Sequence, residues 1–243
     1  PHLIISSDIR GDLHVHTRRS DGSHDFDELI MAARKRGYEY IAITDHSKGL
    51  GIARGLSEEK LIEEKTAIAA LNKKLKGFKV LAGVEVDIRG DGRMDFDDEI
   101  LKQMDIVVAS IHSGFRQSKE QITKRLVSAM RNPYVSVIAH PTGRLIGERD
   151  PYDVDMPEVL RAAHQTGTAI EINAYPFRLD LNDVYARKAR EMQVRLVIST
   201  DTHMVNQFDY MEYGVSMARR GWLEKTDVLN TLNYRSLMHA LKK

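Results

Sequence analysis

The chain contains no cysteine. That absence excludes disulfides and thiolate metal sites, so any metal must be held by imidazole and carboxylate, and it leaves the redox compartment open. No apolar run approaches the roughly 20 residues of a membrane span. The N-terminus lacks the basic region, apolar run and cleavage site of a signal peptide. A cytoplasmic location with no membrane partner is the expectation. Net charge is nearly absent too: 36 Lys and Arg stand against 35 Asp and Glu. Bulk charge therefore argues neither for nor against nucleic acid, and affinity for a polyanion has to come from a local patch. Linkers, low-complexity tracts and long charge blocks are missing, which predicts one domain. What is present is 243 residues, 42% hydrophobic and 29% charged. That suffices for a full core and falls in the range of one α/β barrel. The chain opens at Pro1 rather than methionine and enters a strand almost at once. This predicts a segment cut from a longer protein.

Short apolar runs alternate with amphipathic helical stretches. The runs are Leu13–Val15, Tyr40–Thr44, Val80–Val86, Ile106–Ile111, Val135–Ala139, Ala169–Ile172 and Leu196–Thr200. Each is rich in Val, Ile or Ala and reads as a buried strand. Phe26, Leu29, Ile30 and Ala33 recur at helical spacing within 26–36. Ser57 before Glu58 and Glu59 is a helix N-cap. Further helices are expected near 98–103, 118–131, 156–166, 183–192, 211–220 and 226–241. Alternation implies parallel strands with right-handed crossovers. Seven strand–helix units predict a closed barrel, with a doubly wound open sheet as the other option.

The histidines carry the information. Six of the ten fall at strand ends: His14 and His16 on the first, His46 on the second, His112 on the fourth, His140 on the fifth and His203 after the seventh. Glu85 ends the third strand and Asp201 follows the seventh. Strand ends on one side of a parallel barrel converge on one pocket. Residues i and i+2 share a face, so His14 and His16 can both face the axis, as can Asp201 and His203. One His-x-His pair is weak evidence for metal. Many imidazoles and carboxylates in one pocket are hard to explain without it, because unpaired ionisable groups there carry desolvation and repulsion costs. His2, His164 and His239 read as structural or solvated, and His24 as a loop residue or a spare ligand. Asp21 with Gly22 also fits a simple turn. Arg116, Arg144, Arg149 and Arg178 follow strand ends, and Lys48 and Arg54 lie in the loop after His46. All six are candidate donors to phosphate oxygens, with a solvated surface role as the alternative.

These residues resemble the motifs of the PHP (polymerase and histidinol phosphatase) superfamily. The matching stretches are Asp12-Leu13-His14-Val15-His16-Thr17, Thr44-Asp45-His46, Gly83-Val84-Glu85, Ser110-Ile111-His112-Ser113 and Asp201-Thr202-His203. Longer runs are most similar to the C-terminal PHP domain of bacterial and archaeal family X DNA polymerases. They are His112-Ser113-Gly114-Phe115-Arg116-Gln117, His140-Pro141-Thr142-Gly143-Arg144-Leu145, Glu171-Ile172-Asn173-Ala174 and Leu179-Asp180-Leu181-Asn182-Asp183. The resemblance implies a distorted seven-stranded, TIM-like (β/α) barrel with up to three divalent metals. One is expected on His14, His16, Glu85 and Asp201. A second shares Glu85 and takes His112 and His140. A third uses Asp21, His46 and His203, with Asp21 and His24 competing for one place. Asn173 is a candidate substrate contact, whereas Tyr175 stands where the family pattern has asparagine.

Imidazole and carboxylate ligands suit Zn²⁺, Mn²⁺ or Fe²⁺. Two ions sharing Glu85, about 3.5–4 Å apart, supply hydroxide at neutral pH for in-line attack on phosphorus. Asp201 is the candidate to orient that nucleophile or shuttle its proton. A third ion or a histidine, with His203 the candidate, stabilises the leaving oxygen. The leading expectation is a phosphodiesterase at DNA 3′ ends, a 3′–5′ exonuclease with abasic-site or 3′-phosphate processing, joined to an upstream polymerase part. The alternatives are a stand-alone phosphatase for a small phosphomonoester and a non-catalytic structural module.

Overall fold

The computed structural model describes residues 2–241; Pro1, where the sequence places the start of a severed segment, lies outside them. Seven parallel strands follow one another in chain order: β1 Gly11–Val15, β2 Tyr40–Ile43, β3 Lys79–Asp87, β4 Ile106–Ser110, β5 Val137–Ile138, β6 Ala169–Asn173 and β7 Leu196–Ser199. The helices are α1 Phe26–Lys35, α2 Glu58–Lys74, α3 Asp98–Leu101, α4 Lys119–Arg131, α5 Met156–Thr166, α6 Asp183–Glu191, α7 Met211–Arg220 and α8 Tyr234–Ala240. This is a distorted, nearly closed α/β barrel. Among the described residues no helix is long and apolar enough to cross a membrane.

Strand alternation divides the core in two. Outward residues such as Ile41, Val84, Val107 and Ile198 pack under the helices. Inward residues Tyr40, Ala42, Leu81, Ile106, Val108, Val137 and Val197 form a second cluster, closed from below by Leu237 and Leu241 around α8. The inward series continues upward into chemistry. Ala42 leads through Thr44 to His46, Leu81 to Glu85, Ile106 to His112, and Val197 to Asp201. In β1 the pairing register shifts between Asp12 and Val15. An extra residue there lets Leu13 join the lower interior while His14 and His16 enter the upper one.

The ends of the sheet meet along a seam built largely by side chains. Above, the His16 amide donates to the Thr202 carbonyl (2.8 Å) and the Thr202 amide to His14 (3.3 Å). Midway, the buried Asp12 carboxylate accepts from the Thr200 hydroxyl (2.5 Å) and amide (3.2 Å). Below, the fully buried Asn230 accepts from the Ile198 amide (3.0 Å) and donates to the carbonyls of Gly11 and Ile198 (2.8 Å each). This explains a departure from the sequence expectation. The stretch 226–241 is not one helix but two 3₁₀ turns, Lys225–Asp227 and Leu229–Thr231, followed by α8. Asn230 is drawn into the seam, and Asn233 restarts the helix by accepting from the Ser236 amide (3.0 Å). Strand β5 is also shorter than the apolar run that encodes it.

Asn230→Ala strips the Ile198 amide and the Gly11 carbonyl of partners inside the core. The expected loss is about 2–3 kcal/mol of folding stability, read as a lower urea midpoint with an unchanged slope; an unchanged midpoint contradicts the seam.

Candidate metal centre

Glu85 sits at the middle of the pocket, almost without solvent exposure. Its Oε2 faces His14 Nε2 (3.2 Å), His46 Nδ1 (3.0 Å) and His16 Nε2 (3.5 Å). Its Oε1 faces His140 Nε2 (3.1 Å) and His112 Nε2 (3.4 Å). The same His16 Nε2 lies 3.2 Å from Asp201 Oδ1, while Nδ1 is turned toward Asp21. Asp21 reaches His46 (3.4 Å) and His203 (3.3 Å). The rings crowd: His16 stacks on His46 and on His203 with centroids 4.4 and 4.3 Å apart.

Such crowding forbids full protonation. Burial, and then the charges of His203 and His46, press His16 down to about 4. Burial acts on His14 in the same direction, but Glu85, Asp201 and Glu171 together raise it well above the ordinary value. Burial also pushes Glu85 up, yet His46, His14 and His112 outweigh it and hold the carboxylate far below its usual range.

The donor set fits divalent metal on a direct structural observation. Nε2 of His14 and both ring nitrogens of His16 are buried without a hydrogen-bond partner. Buried polar atoms are almost always paired, and a lone pair left open inside a ring of carboxylates is a ligand position. Among the described residues three sets hold ligand atoms within 4.8 Å of one another: His16, Asp21, His46 and His203; His14, His16 and Asp201; and His46, Glu85 and His112. His46 thus stands between Asp21 and Glu85, and His16 between two sets. The sequence assigned each to a single site.

A second ring of groups orients the first, and the sequence reading missed it. Glu171 accepts from His14 Nδ1 (2.8 Å) and from the His140 amide (2.7 Å). Asp87 accepts from the His112 amide (3.1 Å) and lies 3.5 Å from its Nδ1. Asp45 fixes the loop bearing Asp21 through Thr17 Oγ1 (2.5 Å) and Ser20 Oγ (2.6 Å). The available signal was the inward series of β6, which runs from Ala169 through Glu171 to Asn173.

The expected substrate contacts divide. Arg178 lines the metal pocket, a cavity of about 280 Å³, with its Nε 3.6 Å from Asp201 Oδ2. Lys48 does not line it: Glu58 in the first turn of α2 captures its ammonium at 2.7 Å. The loop after His46 offers the pocket Leu50, Ile52 and Ala53 instead. Arg144 points away, donating to the carbonyls of Arg178 (2.6 Å) and Leu179. Asn173 is buried behind the ligands, donating to Glu171 and to Asp201 (3.1 Å each), so it positions carboxylates and is not open to substrate. Arg116 lies on the neighbouring cleft with Arg149. His24 turns to Glu28 (3.1 Å), whereas Asp21 faces His46 and His203. His2, His164 and His239 are exposed and remote.

An imidazole–carboxylate cluster at the C-terminal mouth of an α/β barrel defines a metal-dependent hydrolase domain, and the comparisons with known proteins narrow the class to phosphoesterases. The sequence pattern of the PHP domain matches residues 12–175, and the chain belongs to that family. It is 47% identical over 241 residues to the DNA polymerase/3′-5′ exonuclease PolX of Bacillus subtilis (strain 168). That match takes in 99% of the chain but 42% of PolX, so the chain spans less than half of this relative. It is 34% identical over 217 residues, 82% of the chain and 79% of the relative, to a probable phosphatase of Caldanaerobacter subterraneus subsp. tengcongensis. Among solved structures, the histidinol phosphate phosphatase of Lactococcus lactis subsp. lactis Il1403 shares the fold. The TM-score is 0.62 at 17% identity, covering 88% of this chain and 94% of that one.

Glu171→Gln weakens the carboxylate that orients His14. Metal affinity, measured by competition with a chelating dye, is expected to fall about 10–100-fold while the melting curve of the metal-free chain changes little. Unchanged affinity would remove Glu171 from the centre.

Proposed function

We propose that the chain hydrolyses phosphodiester bonds at DNA 3′ ends as the PHP part of a family X polymerase. The observation that carries the reading is Glu85, whose two oxygens each face a separate group of imidazoles. The likeness to PolX supports DNA as substrate. In this reading His14, His16, Glu85 and Asp201 hold one ion, Glu85, His112 and His140 a second, and Asp21, His46 and His203 a third. Divalent ions held there would supply Lewis acidity and lower the pKa of a water at neutral pH.

The chain's own groups do the rest. Burial raises Asp201, but His14, His16 and His203 more than offset it and keep the carboxylate ionised. With Oδ2 fixed by Asn173, it orients the attacking water. Arg178 neutralises a phosphate oxygen by a charge-assisted hydrogen bond. His203, with Nδ1 committed to the Asp201 carbonyl (2.8 Å), presents Nε2 toward Asp21 and the leaving oxygen. Leu50 and Ala53 give one wall an apolar lining. Abasic-site and 3′-phosphate processing would use the same centre, and the polymerase partner would lie in the rest of a longer chain. A second reading, a phosphatase for a small phosphomonoester, draws support from the probable phosphatase that the chain covers for most of its length. The complete cluster disfavours a purely structural module.

The test is a Mn²⁺-supplemented assay on single-stranded DNA, 3′-recessed DNA and histidinol phosphate. Stepwise release of nucleotides from 3′ ends is expected, lost on chelation and reduced to background in Glu85→Ala and His14→Ala. Arg178→Ala is expected to lower kcat/KM about 10–100-fold, in line with one lost hydrogen bond between charged groups. Rapid turnover of histidinol phosphate with DNA left intact overturns the DNA reading.

A further inference from the structure

Beside the metal pocket lies a second concavity of about 610 Å³, walled by Phe115, Arg116, Arg149, Pro151 and Tyr152, with Asp150 also on its lining. The hydrolysis assigned to the cluster makes no use of it. Its wall is built from within. Arg125, 2% exposed on α4, donates to the Ser113 carbonyl (2.9 Å) and to Gln117 Oε1 (2.8 Å), and also holds the Ile88 carbonyl. Both ends of the 113–117 loop are therefore pinned. Within it Gly114 takes a φ of +70°, a conformation that glycine adopts without strain. Phe115 lies parallel to the buried Tyr152, with centroids 6.2 Å apart and planes 11° apart. The Arg149 guanidinium sits 4.2 Å from the Phe115 centroid, its Nε anchored on the Gly143 carbonyl at 2.9 Å.

The charges point the same way. Among the described residues neither Arg116 nor Arg149 forms a salt bridge with a carboxylate. Burial and then the charge of Arg178 press on Arg149, against a weaker pull from Glu148. Arg178 itself lines the metal pocket. A positive, aromatic cleft thus adjoins the metal pocket, whose His112 stands three residues before Phe115 in the chain. A flat π system with a guanidinium stacked on it suits a nucleobase, and cations short of carboxylates suit its phosphate.

We propose that this cleft seats one nucleotide next to the scissile phosphate, its base packed against the Phe115–Arg149 stack and its phosphate turned toward Arg178. As a strand subsite this rests on the DNA reading; nucleotide recognition by the cleft is testable apart from it.

The chain is titrated by calorimetry with a phosphonate analogue of adenosine monophosphate, which has no ester oxygen to cleave. Methylphosphonate is its base-free counterpart. The nucleotide analogue is expected to bind about 10-fold more tightly or better, as one stacked base allows. Phe115→Leu keeps apolar bulk but removes the ring, and is expected to erase that advantage while methylphosphonate binding is unchanged. Phe115→Trp restores it, and Arg149→Gln reduces it. Trp222→Leu, an exposed aromatic after α7, leaves it intact. Melting curves confirm folding, and Phe115→Trp with Arg149→Gln decide the matter if Phe115→Leu melts. Equal affinity for the two ligands in the wild type, or an advantage that survives both Phe115→Leu and Arg149→Gln, overturns the inference. If the cleft prefers the nucleotide while metal-loaded chain leaves single-stranded DNA intact, the DNA-end reading fails and the cleft stands.

Discussion

The structure depends on one buried carboxylate. Glu85 lies where the inward series of β3 leaves the apolar interior, and five imidazoles converge on its two oxygens. Without cations this arrangement is costly, since charged and unpaired polar groups are held out of water. The chain tolerates it because the layer below is fully apolar and the ring behind it is fully directed. Glu171, Asp87 and Asp45 leave the first ring little choice of orientation. The centre is thus prepared in advance, and ordering it on metal binding costs little.

The seam serves the same end. β1 and β7 supply His14, His16 and Asp201, yet these strands meet chiefly through the side chains of Asp12 and Asn230. Any loosening there separates ligands of one set. Stability and chemistry are therefore coupled at the closure of the barrel, well below the imidazole–carboxylate cluster.

Much of this was legible in the sequence, for identifiable reasons. Parallel strands buried on both faces show as short Val- and Ile-rich runs, and the candidate ligands stand at their ends, His46, Glu85, His112 and Asp201 in step with the inward series and His14 and His140 out of it. What was not legible shares one cause: it depends on partners distant in the chain. Nothing near Asn230 announces that it will leave a helix to bond Gly11. Nothing near Arg144 shows that its acceptors lie after β6. Glu58, which reads only as the start of a helix, claims Lys48, which reads as a phosphate donor. A carboxylate behind a histidine, such as Glu171, looks in sequence like one in front of it. Of Asp21 and His24, Asp21 faces His46 and His203, whereas His24 pairs with Glu28 on α1.

The central claim is that Glu85 joins two metal positions. The most direct measurement is anomalous scattering from crystals of the metal-loaded chain, recorded on both sides of the absorption edge of the metal. Two peaks are expected about 3.5–4 Å apart, one against each oxygen of Glu85, with any third peak beside Asp21. A single peak, or no pair of peaks against Glu85, would contradict this.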